Sequence, residues 1–321
     1  EEIYLFNRRL KLVSFSLMIL GLIGLSFGFV TAPKNIQEVR EIMSHHDHGE
    51  DHSDNSIKIV DKIDINSLSI KYESNKEEGE HTISHDEHVF HQLSNKPWAA
   101  LYVAAFFFFM ISLGTLAFYA INRAAQVGWS PILFRVMEGI TAYMLPGGLI
   151  VIFILFLSGL HLNHLFIWMD PEVVAHDKII AAKKGYLNVP FVLARGLFFL
   201  AGWSLYRYFS RKFSLAQDLA KDNRYHKKNF RISAGFLVFY IVTESIMSWD
   251  WIMSIDPHWF STLFGWYVFA SMFVSGISTI ALVTIYLKAK GYLKEVNDSH
   301  IHDLGKFMFG VSVFWTYLWF S

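Results

Sequence analysis

The chain has 321 residues, of which 53% are apolar and 17% aromatic, with 30 phenylalanines. That composition excludes an ordinary soluble domain and is typical of helices that face lipid. Its 28 basic and 28 acidic residues balance to zero net charge, and cysteine is absent. Without cysteine, these residues cannot form a disulfide framework, a Cys-ligated zinc site, an iron–sulfur ligand set or a covalent c-type haem attachment.

Long apolar runs recur along the whole chain. A helix needs about 20 predominantly apolar residues to cross a bilayer, and seven stretches meet this requirement: 12–31, 97–121, 131–160, 189–210, 232–254, 259–287 and 304–321. The first run exceeds the apolar core of a usual signal peptide, and no small-x-small cleavage motif follows it, so we interpret it as a retained anchor. The sequence therefore predicts an all-α, polytopic transmembrane helix bundle.

The charges between the runs predict the orientation. Basic residues dominate the segments that a cytoplasmic N-terminus would place inside: Arg8, Arg9, Lys11, Arg123, seven between 211 and 231, and Lys288, Lys290 and Lys294. Acids outnumber bases in residues 32–96, on the opposite side, with Lys178, Lys183 and Lys184 as mild exceptions. The positive-inside rule thus favours a cytoplasmic N-terminus. Short basic stretches beside a membrane reflect topology and anionic lipid, so no nucleic-acid partner is predicted.

Most histidines belong to one acidic segment, residues 45–91. They are His45, His46, His48, His52, His81, His85, His88 and His91. Such tracts can bind zinc, copper or nickel, but a solvated, charge-rich excursion is the simpler interpretation, and we predict no metal site. None of the seven spans contains histidine, the usual axial ligand of a buried haem. We therefore predict that the chain binds no redox cofactor of its own.

Charged residues lie at and beside the link between the fifth and sixth spans. Asp250 lies inside or at the edge of the hydrocarbon, where an ionisable side chain costs a few kcal/mol and is a functional candidate by default. Asp256 and His258 follow at the surface. Arg195 enters the fourth span from the same side to a similar depth, and we predict that it pairs with Asp250.

Further charges lie deeper and on the other side. Glu244 is about 18 Å into the fifth span, near the midplane. Arg135 and Glu138 are three residues apart and can pair on one helix face. We interpret Glu138, Glu244, Asp250, Asp256 and His258 as a candidate proton pathway, and Arg135–Glu138 and Arg195–Asp250 as structural ion pairs.

Helical phase separates the two carboxylates of the fifth span. Asp250 points about 240° away from Glu244, whereas Tyr240 and Ser248 share the face of Glu244, so two separate polar stations are predicted. Pro146, Gly147 and Gly148 are expected to loosen the middle of the third span, as in broken helices that line intramembrane sites. The alternative is that such residues are common in membrane helices and the charges are purely structural.

Residues 248–267, SWDWIMSIDPHWFSTLFGWY, resemble the second large membrane subunit of alternative complex III. That complex is a bacterial quinol:cytochrome c (or other acceptor) oxidoreductase, and the subunit is similar to polysulfide-reductase-type (NrfD-like) membrane proteins. The resemblance covers the spans from residue 97 onward and is specific in the hairpin, where it includes Asp250, Asp256 and His258. Glu138, Arg195 and Glu244 rest on the depth argument, and residues 32–96 look like a variable insertion.

The resemblance implies a fold of ten spans, with two four-helix bundles flanked by a helix at either end. Residues 1–31 would be the N-terminus and first helix, 32–96 a periplasmic loop, 97–254 the first bundle and 255–321 the start of the second, in an incomplete copy of a longer protein. It also implies the bacterial inner membrane. Implied partners are a multihaem cytochrome c, an iron–sulfur subunit, a paralogous NrfD-like subunit, lipids and, as a further candidate, a terminal oxidase.

In that family, haem c and iron–sulfur clusters in the partner subunits carry the electrons. This chain would supply a scaffold and a proton route. A quinone or quinol site is less expected here, because the paralogous subunit lies under the iron–sulfur partner. Two other classes stay open: an ion- or proton-coupled secondary transporter, which would also use midplane carboxylates, and a purely structural scaffold, in which neutralising Glu244 would be harmless.

Overall fold

The computed structural model describes residues 7–39, 41 and 85–320, and all regular structure there is helical. The α-helices with described bounds are α1 Arg8–Thr31, α2 His85–Ala124, α3 Phe134–Ile140, α4 Met144–Gly159, α5 Pro171–His176, α6 Lys178–Lys183, α7 Val189–Leu219, α8 Arg224–Trp251, α9 Phe264–Ala289 and α10 Asp298–Leu318. Most of the His-rich tract, including His45, His46, His48, His52 and His81, lies outside the described residues, as do the side chains of His85 and His88.

Six helical segments in the described part of the chain are long and apolar enough to cross a membrane. They are Arg8–Thr31, Val89–Ala124, Pro131–Gly159, Val189–Leu219, Arg224–Ile255 and Phe264–Ala289. These correspond to the first six predicted spans and indicate a membrane-embedded, all-helical protein. Helix α10 covers most of the seventh predicted span but is not among the six, so that span stays a prediction.

The described residues form two compact units: the first comprises 7–17 and 98–320, and the second comprises 18–39, 41 and 85–97. All charged residues of the clusters described below lie in the first unit. In the first unit, α7 and α8 pack side by side as antiparallel neighbours, joined by the short segment 220–223. We call the end of the bundle at residues 220–223 the loop end. Residues 252–263 join α8 to α9 at the opposite end, which we call the hairpin end.

The third predicted span contains a 3-10 turn, which lies about one turn before its Pro-Gly-Gly sequence. A 3-10 turn, Thr141–Tyr143, separates α3 from α4, and Pro146 lies inside the first turn of α4. Proline is tolerated in a first helical turn, because its missing N–H would have no helical partner there, and its ring disturbs the residues before it. The local change in this span is therefore a 3-10 turn at residues 141–143, inside a segment that stays helical from Pro131 to Gly159.

Aromatic side chains form the centre of this unit near the hairpin end. Trp203 of α7 and Trp251 of α8 are completely buried, with ring centroids 6.4 Å apart. Phe109 of α2 packs 6.1 Å from Trp203 and 5.8 Å from Trp251. The hydroxyl of Tyr102 donates to the carbonyl of Trp251 at 2.7 Å, which satisfies one of the free carbonyls at the end of α8.

Helices α2 and α9 touch backbone to backbone at two glycines. A Cβ on Gly114 would collide with the carbonyl oxygen of Met272, and one on Gly276 would lie 2.7 Å from the amide nitrogen of Thr115. Small residues allow such close approach in membrane helices, where packing replaces the hydrophobic effect as the main attraction between helices. The two glycines therefore set the spacing of α2 and α9.

Candidate functional site: two ionic clusters and a buried carboxyl

Arg195 and Asp250 form a bidentate ion pair near the hairpin end. The Nε of Arg195 donates to Oδ2 of Asp250 at 2.8 Å, and a terminal nitrogen donates to Oδ1 at 2.9 Å. Asp250 is completely buried and the Arg195 side chain is 11% exposed. The structure thus brings together the two residues that the depth argument matched, in the geometry that gives the strongest carboxylate pairing.

Two aromatic rings enclose the guanidinium of Arg195. Its central carbon lies 4.0 Å from the ring centroid of Tyr186 and 4.1 Å from that of Phe191. The Tyr186 carbonyl accepts from both terminal nitrogens at 3.3 Å. Burial, followed by the negative charge of Asp250, raises the pKa of the Tyr186 hydroxyl, which therefore stays protonated. All three guanidinium nitrogens of Arg195 donate to Asp250 or to the Tyr186 carbonyl. The pair is therefore a self-contained structural unit.

The surface residues of the hairpin contact the segment between α4 and α7. A ring nitrogen of His258 lies 2.5 Å from Oδ2 of Asp177, and Lys183 donates to the carbonyl of Pro257 at 2.5 Å. Asp177 also caps α6. Partial burial raises its pKa, but hydrogen bonds from Ile180, His258 and Ile179 together outweigh burial, so the net pKa is lowered. Asp256 is 68% exposed, and its carboxylate lies 3.8 Å from the other His258 nitrogen.

Glu138 is the centre of a second ionic cluster, at the loop end. Its side chain is 4% exposed; Arg135 donates to Oε2 at 2.7 Å, and a terminal nitrogen of Arg123 lies 4.0 Å from Oε1. Arg135 also pairs with Asp218 of α7 at the surface. The hydroxyl of Tyr119 donates to Oε1 of Glu138 at 3.1 Å. The predicted Arg135–Glu138 pair is present, as part of a larger network.

Sequence reasoning missed most of that network. Its further members are Tyr119, Arg123, Ser210, Ser214, Asp218 and Asn229, from α2, α7 and α8. Two signals were present: Tyr119 and Arg123, and likewise Ser210 and Ser214, are spaced i,i+4, which aligns polar groups on one helix face. In the sequence, Arg123 is one of the basic residues to which the positive-inside rule applies, and that rule gives it no partner.

Glu244 lies between the clusters and in neither of them. Its side chain is 3% exposed, and Oε1 is buried with no hydrogen-bond partner among the described residues. Tyr240, one turn earlier, donates to the sulfur of Met272 on α9, whereas Asp250 faces Arg195 on α7. Glu244 and Asp250 thus belong to separate stations, as helical phase indicates. A buried carboxyl without a cationic partner avoids a large desolvation cost when it is neutral.

Helix α8 gives the spacing of these groups along the bundle. At 1.5 Å per residue, Asn229 in the loop-end network lies about 31 Å from Asp250, roughly the thickness of a bilayer core. Glu244 lies about 9 Å from the level of Asp250 and about 22 Å from that of Asn229. The carboxyls of Glu138, Glu244 and Asp250 therefore occupy three levels, with no direct contact between Glu244 and either ion pair in the described structure.

An apolar groove opens between α7 and α8 on the loop-end side of Trp203. Leu205, Phe209, Phe213, Ile232 and Phe239 line it, and the ring of Tyr206 forms part of its wall. Tyr206 stacks on Phe236 at a centroid distance of 3.8 Å, and its hydroxyl lies 2.7 Å from that of Ser233. The groove is apolar and open, with Leu205 and Phe209 exposed at the bundle surface.

Apolar spans and buried ionic clusters together define the class of this chain: an all-helical, membrane-embedded protein with ionisable groups inside its bundle. Comparison with known protein families and with curated protein sequences finds no match.

Proposed function

We propose that this chain is the NrfD-like membrane subunit of a respiratory quinol:acceptor oxidoreductase of the alternative complex III type, in which it supplies a scaffold and a proton pathway. The observation that carries the proposal is the buried Glu244, which has no cationic partner among the described residues and lies between two arginine-paired carboxylates. A carboxyl without a cationic partner in an apolar setting can bind and release a proton, whereas both carboxylate oxygens of Asp250 accept hydrogen bonds from Arg195. The hairpin resemblance of residues 248–267 supports the choice of family.

In this proposal the roles differ along the bundle. Glu138 exchanges protons at the loop end, and Glu244 binds and releases them in the apolar middle of the bundle. Asp256 and His258 lie at the outer end of the pathway, in the hairpin. Asp250 and Arg195 hold α7 and α8 together beside the path. The groove between α7 and α8 is the candidate quinone site, and haem c and iron–sulfur clusters of the partner subunits carry the electrons.

Purification of the native assembly tests the family assignment. Affinity capture of this chain from its native membrane should bring a multihaem cytochrome c and an iron–sulfur protein in fixed stoichiometry, with haem absorption in the assembly. The chain separated from those partners should show no haem Soret band and no iron–sulfur signal, because it lacks cysteine and has no histidine in its spans. Stoichiometric haem on the separated chain, or isolation without redox partners under mild detergent, would contradict the proposal.

Cysteine labelling tests the proposed orientation. The chain has no native cysteine, so single replacements give an unambiguous signal. Lys178 and Lys221 are both exposed, near opposite ends of the bundle. A Lys178→Cys variant should react with an impermeant thiol reagent added outside intact cells. A Lys221→Cys variant should react only after permeabilisation, and Lys58→Cys should behave like Lys178→Cys. The reverse pattern would invert the topology.

The same buried Glu244 would also suit a proton-coupled secondary transporter. That alternative predicts proton movement by the chain alone, in vesicles with an imposed pH gradient and no electron donor. The proposed function predicts that proton movement needs the complete assembly and electron flow.

A further inference from the structure

The hydroxyl of Tyr119 is the meeting point of four helices in the loop-end cluster. Its oxygen lies 3.1 Å from Oε1 of Glu138, 3.1 Å from Nε of Arg123 and 3.2 Å from Oγ of Ser210, with Nδ2 of Asn229 at 3.5 Å. The Tyr119 side chain is buried. A tyrosine hydroxyl has one hydrogen to donate and accepts two hydrogen bonds, so these contacts compete.

The position of the Ser210 hydrogen follows from Asn229. The Asn229 amide nitrogen donates to the backbone carbonyl of Ser210 at 3.1 Å, which directs Oδ1 of Asn229 toward the Ser210 hydroxyl, 2.6 Å away. An amide oxygen only accepts, so Ser210 must donate its single hydrogen to Asn229. No hydrogen of Ser210 then remains for Tyr119. The contact between Ser210 and Tyr119 can be completed only by the hydrogen of Tyr119.

The Tyr119 hydrogen therefore has two acceptors, Oε1 of Glu138 and Oγ of Ser210. When Glu138 is ionised, its charge attracts the hydrogen, because charge-assisted bonds are the stronger ones, and the contact with Ser210 lacks a hydrogen. When Glu138 carries a proton, it can donate to Tyr119, which then donates to Ser210. Each contact in the series Glu138–Tyr119–Ser210–Asn229 is then a hydrogen bond with one hydrogen.

We propose that Tyr119 is a positioning residue whose hydrogen switches from Glu138 to Ser210 when Glu138 binds a proton. This switch links protonation on α3 to the packing of α2 against α7 and α8. The inference rests on the proposed role of Glu138 in proton exchange. Positive charge surrounds the carboxyl, from Arg135 on its own helix, Arg123 of α2 and, farther away, Arg207 of α7, while Asp218 of α7 neutralises Arg135.

A double-mutant cycle tests the switch. Glu138→Gln imitates the protonated carboxyl. Because Arg135 can only donate hydrogen bonds, the amide oxygen of Gln should accept from Arg135, which leaves the amide nitrogen to donate to Tyr119. The full chain is purified in detergent and its unfolding temperature measured. Ser210→Ala should lower that temperature more in the Glu138→Gln background than in the wild type, by about 2 to 4 °C for one hydrogen bond. The difference should vanish when Tyr119→Phe is added to both backgrounds.

The sign of this difference decides the outcome. If Ser210 instead donated to Tyr119 and strengthened its bond to ionised Glu138, Ser210→Ala would cost more in the wild type. An equal or larger cost in the wild type overturns the proposal. Ser158→Ala is the matched control, since this buried hydroxyl also pairs with an asparagine, Asn163, outside the cluster and should cost the same in both backgrounds.

A spectroscopic measurement keeps the proposal testable if Glu138→Gln does not fold. In chain with isotope-labelled tyrosine, the infrared C–O band of Tyr119, assigned by its loss in Tyr119→Phe, should be unchanged by Ser210→Ala alone. A shifted band would show that Ser210 donates to Tyr119 and would overturn the switch. Neither experiment measures proton transport. The switch can therefore fail while Glu138 still exchanges protons, and a loss of the proposed function would leave the cycle unchanged.

Discussion

Replacement of Arg195 by leucine should sharply reduce the amount of folded protein recovered from membranes. The change leaves Asp250, which is completely buried, without its counter-charge. Removal of one partner of a buried ion pair typically costs about 3 to 5 kcal/mol, whereas replacement of both by apolar residues can be close to neutral. The yield of monodisperse protein and its unfolding temperature in detergent both measure this loss.

The double replacement identifies the cause. Arg195→Leu with Asp250→Leu should recover much of the yield and unfolding temperature lost in Arg195→Leu alone. Arg211→Leu, an exposed arginine on the same helix, controls for the loss of positive charge and should behave like the wild type. A double variant that recovers nothing would mean that the pair does not stabilise the bundle and would free Asp250 for a role in proton exchange.

Replacement of Gly114 by valine should separate α2 from α9. The added side chain would meet the Met272 backbone, which cannot move aside as a flexible side chain can. Overpacking typically costs about 1 to 3 kcal/mol, and more when backbone must shift. The unfolding temperature in detergent should fall by several degrees. Gly235→Val adds the same side chain to α8 where nothing lies within 4 Å, so it should leave the temperature near that of the wild type.

The sequence predicted features that depend on counting residues along one helix. Depth alone matched Arg195 with Asp250, and a three-residue spacing matched Arg135 with Glu138; both pairs are present. Helical phase likewise separated Glu244 from Asp250. These predictions succeed because rise and rotation per residue are fixed in an α-helix.

Features that depend on how helices rotate against one another could not be predicted. Tyr119 and Asn229 approach Glu138 from other helices, and Tyr186 reaches Arg195 from the segment before α7. Nothing in their own spacing shows which neighbour they will meet. The third span was expected to loosen at Pro146, and its 3-10 turn lies about one turn earlier, because a proline ring disturbs the residues before it.

Proton release by the assembly with Glu244→Gln tests the central claim most directly. The complete assembly is reconstituted into vesicles, quinol oxidation is started, and protons released per electron are measured with a pH indicator. Glutamine preserves size and hydrogen bonding but cannot carry a proton. Release in Glu244→Gln should therefore fall well below that of the wild type, while the assembly stays intact. Glu295→Gln, on an exposed carboxylate, should release protons as the wild type does. Wild-type proton release in Glu244→Gln would contradict the account and reduce Glu244 to a buried structural residue.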